Sequence, residues 1–65
     1  MNRIPRNFKS ITGTFLHGSC ENVRMVITKD EQGYHGRETE TGRTWSIFAS
    51  HLRNSDFFKI EEINL

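Results

Sequence analysis

Two glycine-containing turns in the middle of the chain constrain its fold more than any other feature. They are Asp30-Glu31-Gln32-Gly33 and Thr41-Gly42, and strand-like segments flank both. Gly33 can take the left-handed conformation in a four-residue loop. Gly42 can supply the positive φ of a two-residue turn, for which Thr41 is less suited. The turns therefore predict two β-hairpins, built from strands over residues 23–29, 34–40 and 43–48.

Each turn also predicts a register. The first turn places Met25 opposite Glu38, Ile27 opposite Gly36 and Lys29 opposite Tyr34. The second turn predicts the pairs Gly36–Ile47, Arg37–Ser46, Glu38–Trp45, Thr39–Thr44 and Glu40–Arg43. Because side chains alternate along a strand and cross-strand partners share a side, both registers predict the same two faces. The apolar face holds Val23, Met25, Ile27, Tyr34, Gly36, Trp45 and Ile47. The polar face carries Arg24, Thr28, His35, Arg37, Thr39, Thr44 and Ser46, with Val26 and Phe48 as its apolar members.

Glu38 is the exception to this separation, because the register puts its carboxylate beside Met25 and Trp45. An unpaired charge among apolar side chains is costly. Either Glu38 lies at an open end of the sheet, or the register fails there. Trp45 is expected in the core, with its indole N–H directed to a partner near the rim.

The outer elements are predicted from the same alternation. Strands are expected over residues 8–16 and 57–63, and Gly13 within the first indicates a bulge or bend. In the last strand, Phe58 and Ile60 form one face, and the other holds Phe57, Lys59, Glu61 and Ile63. Residues 49–55 predict a single helical turn anchored by Leu52. Residues 1–7 predict a flexible basic arm ahead of one domain over residues 8–65.

Five short strands, two central hairpins and the segment Ser50-His51-Leu52-Arg53 before the last strand resemble an SH3-like small β-barrel. The resemblance covers residues 8–63 at the level of the fold. It implies an all-β, five-stranded barrel and no particular activity, since such barrels serve nucleic-acid, peptide and assembly functions. Proline-binding SH3 domains use a long first loop and an aromatic groove. A short first connection and a single tyrosine argue against that activity here.

Composition narrows the setting of the protein. At 65 residues the chain is one domain, and a domain of this size buries only about 60% of its unfolded surface. Its single cysteine, Cys20, cannot form an internal disulfide, which favours a reducing compartment. The chain has neither a signal-peptide core nor an apolar run of about 20 residues, so we expect a cytoplasmic protein with no membrane contact. Forming a homo-oligomer would bury more surface.

Two kinds of site chemistry have weak support. His17, Cys20, His35 and His51 could meet around zinc, but a second pair of closely spaced ligands is missing. His35, His51, Glu38 and Glu40 could supply an acid and a base, with Arg37 holding an anion, but their spacing is not diagnostic. We therefore expect no catalytic residues, no metal and no cofactor, and a protein that acts by binding.

The polar face is the best candidate for that binding. Its contact residues for nucleic acid are predicted to be Arg24, Arg37, His35 and Phe48, with Arg3 and Arg6 as further phosphate contacts. The net charge of +1 does not support nucleic acid by itself, and a solvated sheet face explains the same pattern. The competing hypothesis is a regulatory or inhibitory protein that binds a protein partner through an edge strand, or through Phe57 and Val26.

Overall fold

The computed structural model describes residues 1–65 as one open antiparallel sheet with a short helix. The elements are β1 (Ser10–Phe15), β2 (Arg24–Asp30), β3 (Gly33–Glu38), β4 (Thr44–Ile47), α1 (Ala49–Arg53) and β5 (Phe58–Asn64). The strand order is β4-β3-β2-β1-β5, and every neighbouring pair is antiparallel. The all-β class and the helical turn before the last strand are confirmed. The sheet does not close into a barrel, because β4 and β5 form its two opposite edges.

The first hairpin has the predicted register. Met25 pairs with Glu38, Ile27 with Gly36 and Lys29 with Tyr34. The pairing continues one step further than expected, since Asp30 pairs with Gly33 across the two residues Glu31 and Gln32. Gly33 has a φ of +126°, and the Gln32 N–H donates to Asp30 Oδ1 over 2.8 Å. This side-chain acceptor closes the turn.

The second hairpin is shifted by two residues from the predicted register. Trp45 pairs with Gly36, where Ile47 was expected. The connection is a four-residue loop over residues 39–42, in which the Gly42 N–H donates to the Glu38 carbonyl over 3.0 Å. In the wider loop only Gly42 takes a positive φ, of +75°, so Thr41 avoids the conformation that a two-residue turn would impose on it. A shift of two keeps every side chain on its predicted face.

The conflict at Glu38 is resolved by hydrogen bonds at the end of the sheet. Its Oε2 accepts the indole N–H of Trp45 over 2.6 Å, and its Oε1 accepts the Thr41 hydroxyl over 3.1 Å. The Arg43 guanidinium lies 5.1 Å from the centroid of the Trp45 ring. The Glu38 carboxylate is therefore the hydrogen-bond partner that was expected for the Trp45 indole.

The core lies on the predicted apolar face. Its fully or almost fully buried members are Ile11, Phe15, Met25, Ile27, Leu52 and Phe58. Leu52 is the only buried residue of α1, so it anchors the helix to the sheet, as expected. The half-buried side chains of Val23, Tyr34, Trp45 and Ile47 pack around this group.

A bulge at Gly13 changes one predicted face. The register of β1 and β5 shifts between Thr12 and Gly13, where Thr12 pairs with Glu62 but Gly13 pairs with Ile60. The extra residue in β5 is Glu61, and after it the alternation of the strand is reversed. Ile63, predicted on the side of Lys59, therefore lies opposite Ile11 and packs against the core.

The N-terminal segment contacts α1 and β5. The Asn2 side-chain amide donates to the Leu52 carbonyl over 2.9 Å and to the Phe58 carbonyl over 2.6 Å. Its backbone N–H donates to the Arg53 carbonyl over 2.8 Å. Residues 1–7 form no strand or helix, but these bonds hold their beginning against the folded domain.

Candidate functional site

The outer face of the sheet brings most of the predicted contact residues onto one side. Its centre is a shallow cavity of about 430 Å³, here named the outer-face cavity, which is lined by Val26, Thr28, His35, Gly36, Arg37 and Thr44. These residues come from β2, β3 and β4, and alternation points the side chains of all of them except Gly36, which faces the core, to the outer side of the sheet. No aspartate or glutamate lines the cavity.

Arg37 is the cation of the outer-face cavity. It pairs with Val26 on one side and Thr44 on the other, and its side chain is exposed. The two ion pairs of the structure are Arg24 with Glu61 and His35 with Asp30, so Arg37 has no carboxylate partner. Its charge is available to an anionic ligand.

Arg24 lies on the same face at the beginning of β2, outside the outer-face cavity. Its Nε donates to Glu61 Oε1 over 2.7 Å, and the other oxygen of Glu61 accepts the Thr14 hydroxyl over 3.0 Å. Arg24 lines a different cleft, together with Glu38 and Glu40. Arg24 and Arg37 therefore share the outer face but line different cavities, and acidic neighbours balance the charge of Arg24 alone.

The Arg24 guanidinium lowers the pKa of Glu61, and the Thr14 hydroxyl lowers it further. Because the pKa of Glu61 is lower in the folded state, its carboxylate stabilises the protein at pH values above its unfolded-state pKa of 4.5. This stabilisation is lost as the pH falls through the folded-state pKa. We expect Glu61→Gln to destabilise the protein slightly at neutral pH and to have no effect near about pH 2. Urea unfolding followed by Trp45 fluorescence at each pH measures this.

Glu62→Gln is the matched control for that prediction, because Glu62 is the next residue and forms no ion pair. Equal effects of Glu61→Gln at neutral and acidic pH would contradict the assignment.

His35 lies at the other end of the outer-face cavity, near the first turn. Its Nε2 is 3.0 Å from Asp30 Oδ1. The hydrogen bond from the Gln32 N–H and the contact with His35 lower the pKa of Asp30. His35 is therefore held in place by the turn and faces the same side as Arg37.

Phe48 follows β4 and is the most exposed aromatic side chain near this face, at 71%. Its ring meets His51 edge-on, with 5.4 Å between the centroids. It borders a cavity that also includes His35 and Ser46. Arg3 and Arg6 are exposed on the N-terminal segment and line none of the cavities described here.

A second concave region, here named the ring cleft, lies where the end of β4 meets α1. It has a volume of about 190 Å³ and is lined by Phe15, His17, Gly18, Ser19, Cys20, Trp45, Ser46, Ile47, Phe48, His51 and Phe57. The rings of His51 and Phe57 are parallel, with centroids 4.9 Å apart, and His17 meets Phe57 edge-on at 5.8 Å. Its residues come from four separate segments, so spacing along the chain does not group them, although His17, Cys20 and His51 were among the candidates for a shared site.

The candidate metal and acid–base residues do not form one cluster. His17, Cys20 and His51 line the ring cleft, while His35 contacts Asp30 on the outer face. The structure contains no group of three His, Cys, Asp or Glu side chains arranged to hold a metal ion. Glu38, a candidate acid or base, instead accepts a hydrogen bond from the Trp45 indole.

These observations define a small all-β protein whose open five-stranded sheet carries a cavity with one uncompensated arginine. No protein-family model matches the chain, and no curated protein or solved structure matches it significantly. The one helix, α1, has five residues and is too short to cross a bilayer.

Proposed function

We propose that this protein binds nucleic acid through the outer-face cavity and has no catalytic activity. The observation that carries the proposal is Arg37, an exposed arginine without a carboxylate partner in a cavity that has no acidic lining. A guanidinium can donate two parallel hydrogen bonds to a phosphate, and the hydroxyls of Thr28 and Thr44 can add further ones.

The surroundings of the cavity support the same ligand. Phe48 offers an exposed ring on which a base can stack, and His35 lies between Phe48 and Arg37 along the surface. Arg24 has a smaller role than its position in the sequence indicates, because Glu61 balances its charge. Arg3 and Arg6 are accessory phosphate contacts.

The first test is Arg37→Glu, measured by fluorescence anisotropy with labelled oligonucleotides at several salt concentrations. We expect affinity to fall about tenfold or more and the slope of log affinity against log salt to decrease by about 1. Arg37 makes no ion pair, so thermal stability should change little.

Arg53→Glu is the matched control, since Arg53 is an exposed arginine of α1 outside the outer-face cavity. Arg24→Glu is a poorer test because it would place a carboxylate against Glu61 and destabilise the fold. Equal affinities of the Arg37→Glu and Arg53→Glu variants would show that general charge, and no particular cavity, attracts the oligonucleotide.

The second candidate function is binding of a protein partner, and the free sheet edges favour it. β4 and the seven-residue β5 each have one side without a neighbouring strand. Such edges can accept a strand from a partner or from a second copy of this chain. Light scattering would detect self-association, and an interface of this kind should depend little on salt.

For the fold, we propose membership in the SH3-like class. The support is the placement of β5 beside β1 and of α1 between β4 and β5. The open edges allow the same strand order to be described as an incompletely closed barrel.

A further inference from the structure

We propose that the ring cleft binds one unpaired nucleobase, so that the preferred ligand is single-stranded. This rests on the proposed function for its phosphate contacts but uses a different set of residues. Phe48 and Ser46 line the ring cleft and also the cavity that contains His35. The cavity of Arg37 adjoins this cavity at His35, so a strand held at Arg37 can pass Phe48 to the ring cleft.

The rings that line the cleft supply aromatic surface for a flat ligand. His51 and Phe57 lie within 3° of parallel, whereas His17 and Phe48 present their rings at steep angles to them. The remaining lining combines apolar side chains, Trp45 among them, with the two serines Ser19 and Ser46. Aromatic rings prefer offset stacking and edge-to-face contacts, and this cleft offers surfaces for both.

The chemistry of the lining favours a base over other flat or apolar groups. No Asp, Glu, Lys or Arg lines the cleft, so it offers no fixed charge to a carboxylate, a phosphate or an ammonium group. The imidazoles of His17 and His51 and the hydroxyls of Ser19 and Ser46 can both donate and accept hydrogen bonds. A nucleobase has a π-face for the rings and a polar edge for these groups, whereas an aliphatic side chain would leave them unmatched.

A site for an unpaired base also predicts a preference for single-stranded over duplex nucleic acid. In a duplex the bases are paired and stacked, and bringing one into the cleft would require it to be flipped out at a cost of a few kcal/mol. A single strand has no such cost. The protein should therefore bind single-stranded oligonucleotides more tightly than duplexes of the same length.

Trp45 provides the measurement because it is the only tryptophan and lines the cleft. Adenosine and uridine, which carry no phosphate, are titrated into the intact protein while Trp45 fluorescence is followed at a wavelength where the bases do not absorb. We expect a saturable change that is independent of salt and unaffected by Arg37→Glu. His51→Ala should weaken nucleoside binding about tenfold, while His35→Ala, a histidine outside the cleft, should not.

The outcomes separate the two proposals. If neither nucleoside changes the Trp45 signal and single strands bind no better than duplexes, the base site is overturned, although Arg37-dependent binding would still support the outer-face cavity. Saturable nucleoside binding without oligonucleotide binding would support the cleft and overturn the proposed function. Binding of N-acetyltyrosinamide in place of both nucleosides would assign the cleft to a peptide side chain and overturn the inference.

Discussion

Gly13→Ala is expected to destabilise the protein by about 3 kcal/mol or more, at the upper end of the cost of overpacking. A methyl group at this position would collide with the Phe58 ring and with the backbone carbonyl of Lys59. Neither can move easily. Phe58 is fully buried, and Lys59 belongs to the strand that pairs with β1. A domain of this size has a total stability of only about 3–10 kcal/mol, so much of the population should unfold.

Urea unfolding followed by Trp45 fluorescence measures the effect, and Gly42→Asn is the matched control. Gly42 has open space around it and a φ of +75°, in the region that asparagine tolerates better than most residues. We expect the control to change stability by less than about 1 kcal/mol. Similar unfolding midpoints for Gly13→Ala and the unmodified protein would disprove the close approach of β5 to β1.

Leu52→Ala is expected to cost about 2–5 kcal/mol, the usual range for removing a buried leucine side chain. Leu52 is the one buried residue of α1, and a five-residue helix has little stability without tertiary contacts. The helix also carries His51, so its loosening should disrupt the ring cleft. Nucleoside binding and stability should therefore fall together in this variant.

Ser50→Ala is the control for Leu52→Ala, because Ser50 is an exposed residue of the same helix. Its stability should stay within about 0.5 kcal/mol of the unmodified protein. A Leu52→Ala protein with unchanged stability would contradict the role of α1 as a packed part of the core.

The face of each central side chain was predictable from the sequence, but the exact pairing was not. Alternation depends only on whether a register shift is odd or even, so the two-residue error at the second hairpin left both faces correct. The length of the second loop was predicted wrongly. A two-residue turn would require a positive φ at Thr41, and the four-residue loop avoids that cost. At Gly13 the bulge was predicted, but the position of the extra residue, Glu61, depends on β5 as well.

The candidate site was predictable only in its local part. Arg37, His35 and Phe48 followed from alternation along neighbouring strands. The compensation of Arg24 by Glu61 joins residues 37 positions apart, and the ring cleft joins four segments. Such contacts depend on the order of strands in space, which hairpin turns do not specify.

The position of β1 between β2 and β5 also has a consequence for synthesis. A chain is synthesised from its N-terminus, so β1 to β4 leave the ribosome before β5. During that time one edge of β1 lacks its partner strand, β5. Phe58, which packs against Phe15 with 4.8 Å between ring centroids, is supplied only by the last strand. The nascent chain therefore exposes an incomplete apolar surface and an unpaired edge of β1 until β5 has left the exit tunnel, and both features favour aggregation during that interval.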